Sequence, residues 1–197
     1  MNKLFSYSKT AAFCIIFLLA LQIALIFIEG RSLLYITNGL SALYCVLWIV
    51  LFALIAKESV KKSPLKIPSF IAGSGYVLSI VSIILFIIGY TSITNGSYNY
   101  TLYSVANIVN ISAMVATVVG FIWLSRYFSK GSSQRIASYI IAIVIIVNPL
   151  VSILYHPWEI EDEAKRTLII NIRSIIGYVA TYGSASFFLF SLSKLKK

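Results

Sequence analysis

Arg173 is the most conspicuous residue in this 197-residue sequence, because it lies inside a long apolar run. A charged side chain at the centre of a bilayer costs about 2.5–3.5 kcal/mol on insertion scales, so each such group needs a reason. A guanidinium in that setting binds an anion, pairs with a carboxylate such as Glu29, or snorkels along its own stem to the interface. The amides Gln22, Asn38, Asn107, Asn110, Asn148 and Asn171 are also embedded in apolar runs. Asn107 and Asn110 stand at i,i+3 and share a helix face. Asn148 precedes Pro149, whose ring frees a backbone carbonyl one turn earlier, and breaks of this kind mark binding sites in transporters. Asn38, Asn107, Asn110, Asn148 and Arg173 are therefore the candidate lining of a polar pocket. Interhelical hydrogen bonding, worth about 0.6 kcal/mol each, is the structural role open to the same amides.

Other chemistry finds little to work with. No Asp or Glu falls inside an apolar run, so a proton or sodium relay lacks its usual carboxylate. Cys14 and Cys45 sit within apolar runs and suit packing rather than a disulfide or a zinc site. The single histidine, His156, rules out paired axial ligation of a haem. There is no phosphate-binding glycine loop, no H-E-x-x-H and no nucleophile elbow. The sequence thus predicts no catalytic residues, no metal and no cofactor.

Six apolar runs must position these residues, each near the roughly 20 residues that span a bilayer. They cover about 11–28, 33–56, 68–90, 102–125, 136–155 and 168–192. The expected fold is all-α: a polytopic membrane protein, a six-transmembrane-helix bundle built of three helical hairpins, forming one integral membrane domain over 1–197. The composition agrees, with 59% hydrophobic and 11% charged residues; a soluble domain carries about 25% charged. The first run is longer than the 7–15 residues of a signal-peptide core and reads as a retained helix behind a short basic lead, Met1 to Thr10.

Charge sets the orientation. With the N-terminus inside, 12 of the 16 Lys and Arg fall on the inner side; Arg31, Lys165, Arg166 and Arg173 fall outside with five of the six acids. The positive-inside rule then holds for every inner segment, predicting N-in/C-in topology in the cell membrane. The net charge of +10 is accounted for by topology and anionic headgroups, and nucleic acid is not an expected partner. The sequons at Asn95 and Asn99 fall in an outer loop and are candidate glycosylation sites.

The last helix has further signals. His156-Pro157 and the acids 159 and 161–163 resemble a helix start, with Glu161 and Asp162 spaced i,i+4 from Lys165 and Arg166. The expectation is a helix beginning near Trp158 that either projects outward before it enters the bilayer or kinks near the interface with its first turns lying on the membrane. Gly177, Ala180, Thr181, Ser184 and Phe188 share one face of it, and Gly73, Ser74, Gly75, Ser79 and Ser82 line the third run; both read as close-packing surfaces. Tyr44, Trp48, Tyr178 and Tyr182 lie deeper than the interfacial aromatics and are candidates to line a cavity.

The loops are too short to fold on their own, so function belongs in the membrane or on a partner. The expected function is that of a non-catalytic membrane subunit or interaction protein, touching the lipid bilayer and other membrane subunits or a second copy. The alternative is a small-solute binding or transport component. A solute site predicts a cavity lined by Asn38, Asn107, Asn148 and neighbouring aromatics. An interaction subunit predicts a filled bundle with a groove facing lipid.

Overall fold

The computed structural model describes residues 2–28, 32–58, 65–94, 100–154 and 161–194. The protein is all-helical there: α1 (Asn2–Leu25), α2 (Ser32–Glu58), α3 (Lys66–Thr94), α4 (Tyr100–Ser125), α5 (Ser133–Leu154) and α6 (Glu163–Ser193). All six are long and apolar enough to cross a membrane. The sequons at Asn95 and Asn99 lie outside the described residues, as do Glu29, His156 and Trp158.

Two helix starts differ from expectation. The lead before Ala11 is helical from Asn2 onward. Ser8 and Thr10 fold their hydroxyls back onto the Leu4 and Ser6 carbonyls, and Ala11, Ala12 and Ser8 are fully buried. The two lysines of this stretch suit a helix as well as a coil, so packing decides. At the other end, α6 starts at Glu163, not near Trp158. Asp162 is its N-cap, extended at φ −71°, ψ 110°, and its side chain accepts from the Lys165 amide at 3.1 Å. A cap of that geometry ends the helix there. Glu161 lies ahead of the cap, so its i,i+4 relation to Lys165 is not helical. From Glu163 the helix runs unbroken to Ser193, about 46 Å at 1.5 Å per residue.

Each helix packs antiparallel on the next, and α6 closes the circuit on α1, giving a ring. Cross-helix contacts fix the directions. Tyr7 donates to the Leu47 carbonyl and Gln22 to the Thr37 carbonyl; Ser82 donates to the Ala106 carbonyl, and Gln134 to that of Ser191. The start of α1 and the end of α6 therefore lie on one face of the bundle, together with Lys57, Lys66, Arg126, Lys130, Arg135 and Lys194. Glu161, Asp162, Glu163, Lys165 and Arg166 lie on the opposite face. The α4–α5 link turns through Gly131, whose φ of +76° suits glycine, and Ser132 receives the Arg135 amide.

Aromatic side chains fill the ring. Trp48 of α2 is 1% exposed. It stacks on Tyr76 of α3 at 5.3 Å, meets Phe121 of α4 edge-on at 5.3 Å, and reaches Phe188 of α6 at 5.7 Å. Phe121 and Phe188 meet edge-on at 5.4 Å. The α2 and α6 backbones are not neighbours, so these rings span the interior. In lipid such packing is held by dispersion and edge-to-face geometry rather than by release of water. Large apolar side chains such as Phe13, Phe17, Phe70 and Ile84 point outward, as a bilayer requires.

Candidate functional site

The polar candidates fall into two groups. Asn38 folds its amide back onto the Leu34 carbonyl at 2.8 Å on α2. Asn107 and Asn110 lie exposed on α4. None of these three is in the lining of the crevice between α5 and α6. Asn148 and Arg173, by contrast, line one crevice of about 690 Å³ between α5 and α6. That volume falls within the ~300–1,000 Å³ of small-molecule sites.

The crevice follows from local sequence. α5 presents Ile143, Val144, Val147 and Val151, and α6 answers with Ile169, Ile172 and Ile176. Branched side chains on both walls hold the backbones apart. At the middle of α6 stands Gly177, where an added Cβ would meet nothing within 4 Å. The Gly177 position therefore faces open space rather than a close-packed neighbour, contrary to the close packing expected there. Further along the same helix Ser184 and Phe188 are buried, as that expectation had it. Toward the face that carries the chain ends, the two helices meet again where Gln134 donates to the Ser191 carbonyl at 2.7 Å.

Pro149 removes one α5 amide from the helical ladder. The Asn148 side chain reaches across to α6: its Nδ2 donates to Thr181 Oγ1 at 2.8 Å and to the Gly177 carbonyl at 3.3 Å. This bridge forms the deep polar floor of the crevice. Arg173 is half-buried in the lining, eight residues nearer the α6 start than Thr181, or about 12 Å along the helix. Ser174 and Tyr178 lie between them in the same lining. From Ser193 to Arg173 the helix rises about 30 Å, close to the thickness of a hydrocarbon core. The guanidinium thus stands level with the edge of the hydrocarbon when Ser193 stands at the other edge.

Thr181 and Gly177 were not among the expected site residues, whereas Tyr178, a candidate cavity aromatic, is in the lining. Depth alone would have flagged Thr181. Counted from the ends that share a face, Asn148 stands about 22 Å up α5 and Thr181 about 18 Å up α6. Tyr44, Trp48 and Tyr182 join the filled interior instead, Tyr44 and Tyr182 at 4.8 Å. A second polar cluster lies there. Gln22 is 1% exposed and its Nε2 stands 3.4 Å from Tyr182 Oη. Gln22 Oε1, Trp48 Nε1 and Tyr76 Oη have no hydrogen-bond partner among the described residues.

No group of three or more His, Cys, Asp or Glu that would hold a metal occurs among the described residues. The chemistry open to the crevice is recognition: one fixed positive charge at the rim, hydroxyl and amide groups below it, and branched apolar walls. No family model, no curated protein and no solved structure matches the chain.

Proposed function

We propose that the chain is a non-catalytic membrane protein that binds its partner laterally, through the α5–α6 crevice, with the lysine-rich face of the bundle inside the cell. The filled ring carries this reading. A path along the bundle axis would have to displace Trp48, Phe121 and Phe188, which are buried against one another. The crevice opens from the side, between two helices, where a molecule dissolved in the bilayer or another membrane-spanning helix can approach. The positive-inside bias supports the orientation.

Affinity purification of the tagged full chain in mild detergent, with mass spectrometry of co-purifying proteins and lipids, tests the reading. One component is expected at fixed stoichiometry from the unaltered chain and at strongly reduced yield from Gly177→Leu, which fills the crevice. Uptake of a water-soluble metabolite into proteoliposomes, undiminished in Gly177→Leu, would overturn it in favour of a solute path elsewhere in the bundle.

A further inference from the structure

We propose that the half of the ring farther from the start of α1 is a water-filled vestibule, where Asn107 and Asn110 bind a small uncharged solute rich in hydroxyl or amide groups. This site is separate from the α5–α6 crevice and does not depend on it. The rotation of α4 carries the inference. Tyr103, Asn107, Asn110, Met114 and Phe121 stand at i, i+4, i+7, i+11 and i+18, on a single face of the helix. Phe121 shows where that face points: it is 0% exposed and packed on Trp48 and Phe188 inside the ring. Asn110 stands eleven residues, or about 16 Å, farther along the same face, yet it is exposed, as are Asn107 and Tyr103. The lipid face of α4 lies elsewhere, along Ile108, Ile111, Val115 and Val119. Nor does α4 lean away from α3 at this end. Ser82 donates to the Ala106 carbonyl, and an added Cβ at Gly89 would lie 3.9 Å from Leu102 Cβ. An exposed side chain on the inward face of a helix that keeps to its neighbour marks open space inside the ring.

That space has a floor and a polar belt. The packed rings of Trp48, Tyr76, Phe121 and Phe188 close it toward the start of α1, so it is blind. Counted from the helix ends on that side, Tyr44, Asn110, Asn148 and Tyr178 stand about 21–23 Å along four different helices. The Asn148 amide is committed to its bridge onto α6. Asn107 and Asn110 make no side-chain hydrogen bond among the described residues. Each offers an NH₂ donor group and a carbonyl acceptor, and each tyrosine adds a ring with one hydroxyl. The solute is uncharged because its surroundings are: α4, and α5 beyond Arg135, carry no charged residue. An ion would lose its hydration there with no opposite charge to replace it. Hydroxyl and amide groups exchange their bonds to water for bonds to the asparagines at little cost.

Thiol labelling of the full-length protein in vesicles tests both halves of the proposal. Single cysteines are introduced into a Cys14→Ala, Cys45→Ala chain and treated with a charged, membrane-impermeant methanethiosulfonate. Asn107→Cys and Asn110→Cys are expected to react about tenfold faster or more than Ile108→Cys, which lies between them in depth but faces lipid, because the reactive thiolate needs water. Equal rates at the three positions, or labelling of all three only by a lipid-soluble alkyl maleimide, overturns the vestibule. Glycerol, glucose and N-acetylglucosamine at millimolar concentration are then tested for protection of Asn107→Cys. At least one is expected to slow its labelling about threefold, as a solute at twice its Kd would. Adding Asn110→Leu abolishes that protection, and citrate and glycine betaine give none. Protection by the charged solutes, or by none of the five, overturns the solute assignment. Gly177→Leu, which fills the crevice, leaves labelling and protection unchanged, so this proposal and the lateral reading fail on different variants. Loss of protection in Gly177→Leu would make the two sites one and overturn their separation.

Discussion

The α3–α4 pair and the α5–α6 pair use the same ingredients to opposite ends. Along α3–α4, small residues face small residues. An added Cβ at Gly120 would lie 2.5 Å from the Ala72 amide nitrogen and 2.7 Å from its Cα. One at Gly75 would run into Thr117 and lie 2.7 Å from the Ala113 carbonyl oxygen. Ser82 spans the same junction, donating to the Ala106 carbonyl at 2.9 Å. Along α5–α6, glycine and alanine on one helix face isoleucine and valine on the other. The branched side chains act as spacers, and the glycine is left beside a void. Two backbones close only when both partners are small at the same level; a one-sided stripe makes a crevice.

Substituting the glycines one at a time separates the two regions. Gly120→Ala is expected to do the most harm. Its methyl meets backbone rather than a flexible side chain, and overpacking of this kind costs about 1–3 kcal/mol, or roughly 5–10 °C of melting temperature in detergent at the upper end for a chain of this size. An unchanged melting temperature would mean that α3 and α4 do not approach as closely as described. Asn148→Ala comes next, because it removes the side-chain bridge from α5 to the Thr181 hydroxyl and the Gly177 carbonyl. Such bonds average about 0.6 kcal/mol in membrane bundles and reach about 1.7, a loss of a few degrees followed by the same melting assay. Gly177→Ala should have the smallest effect and the opposite sign. With no atom in the way, alanine's better helix propensity adds up to about 1 kcal/mol. A clear destabilisation at position 177 would erase the contrast between the two regions.

Much of this was legible beforehand, for a simple reason. A bilayer permits few solutions, so six apolar runs separated by charged turns lead directly to six helices. The glycines and serines of α3 announced a close contact, and the structure supplies its other half in Ala106, Ala113, Thr117 and Gly120 of α4. The stripe on α6 was misjudged by the same rule applied to one helix alone: its neighbour's Ile143 and Val147 had to be read with it. Asn148 and Arg173 were recognisable as candidates from the cost of placing them in lipid. That they share a crevice, while Asn38, Asn107 and Asn110 do not, depends on helix rotation, which uniformly apolar helices scarcely encode. The start of α6 was displaced because several acids in a row offer several caps, and the extended backbone at Asp162 selects one.

The closure of α6 onto α1 also sets a timetable for biogenesis. α1 packs more extensively on α6 than on α2, the helix that follows it. At about 5–20 residues per second the ribosome needs on the order of 10 s to pass from Leu25 to Glu163. Throughout that interval the first helix is already made and its principal neighbour is not. Gln22 can already donate to the Thr37 carbonyl of α2, but its contact with Tyr182 waits for α6. The contact between α1 and α6 therefore forms late, and a polypeptide interrupted before α6 leaves α1 without that neighbour.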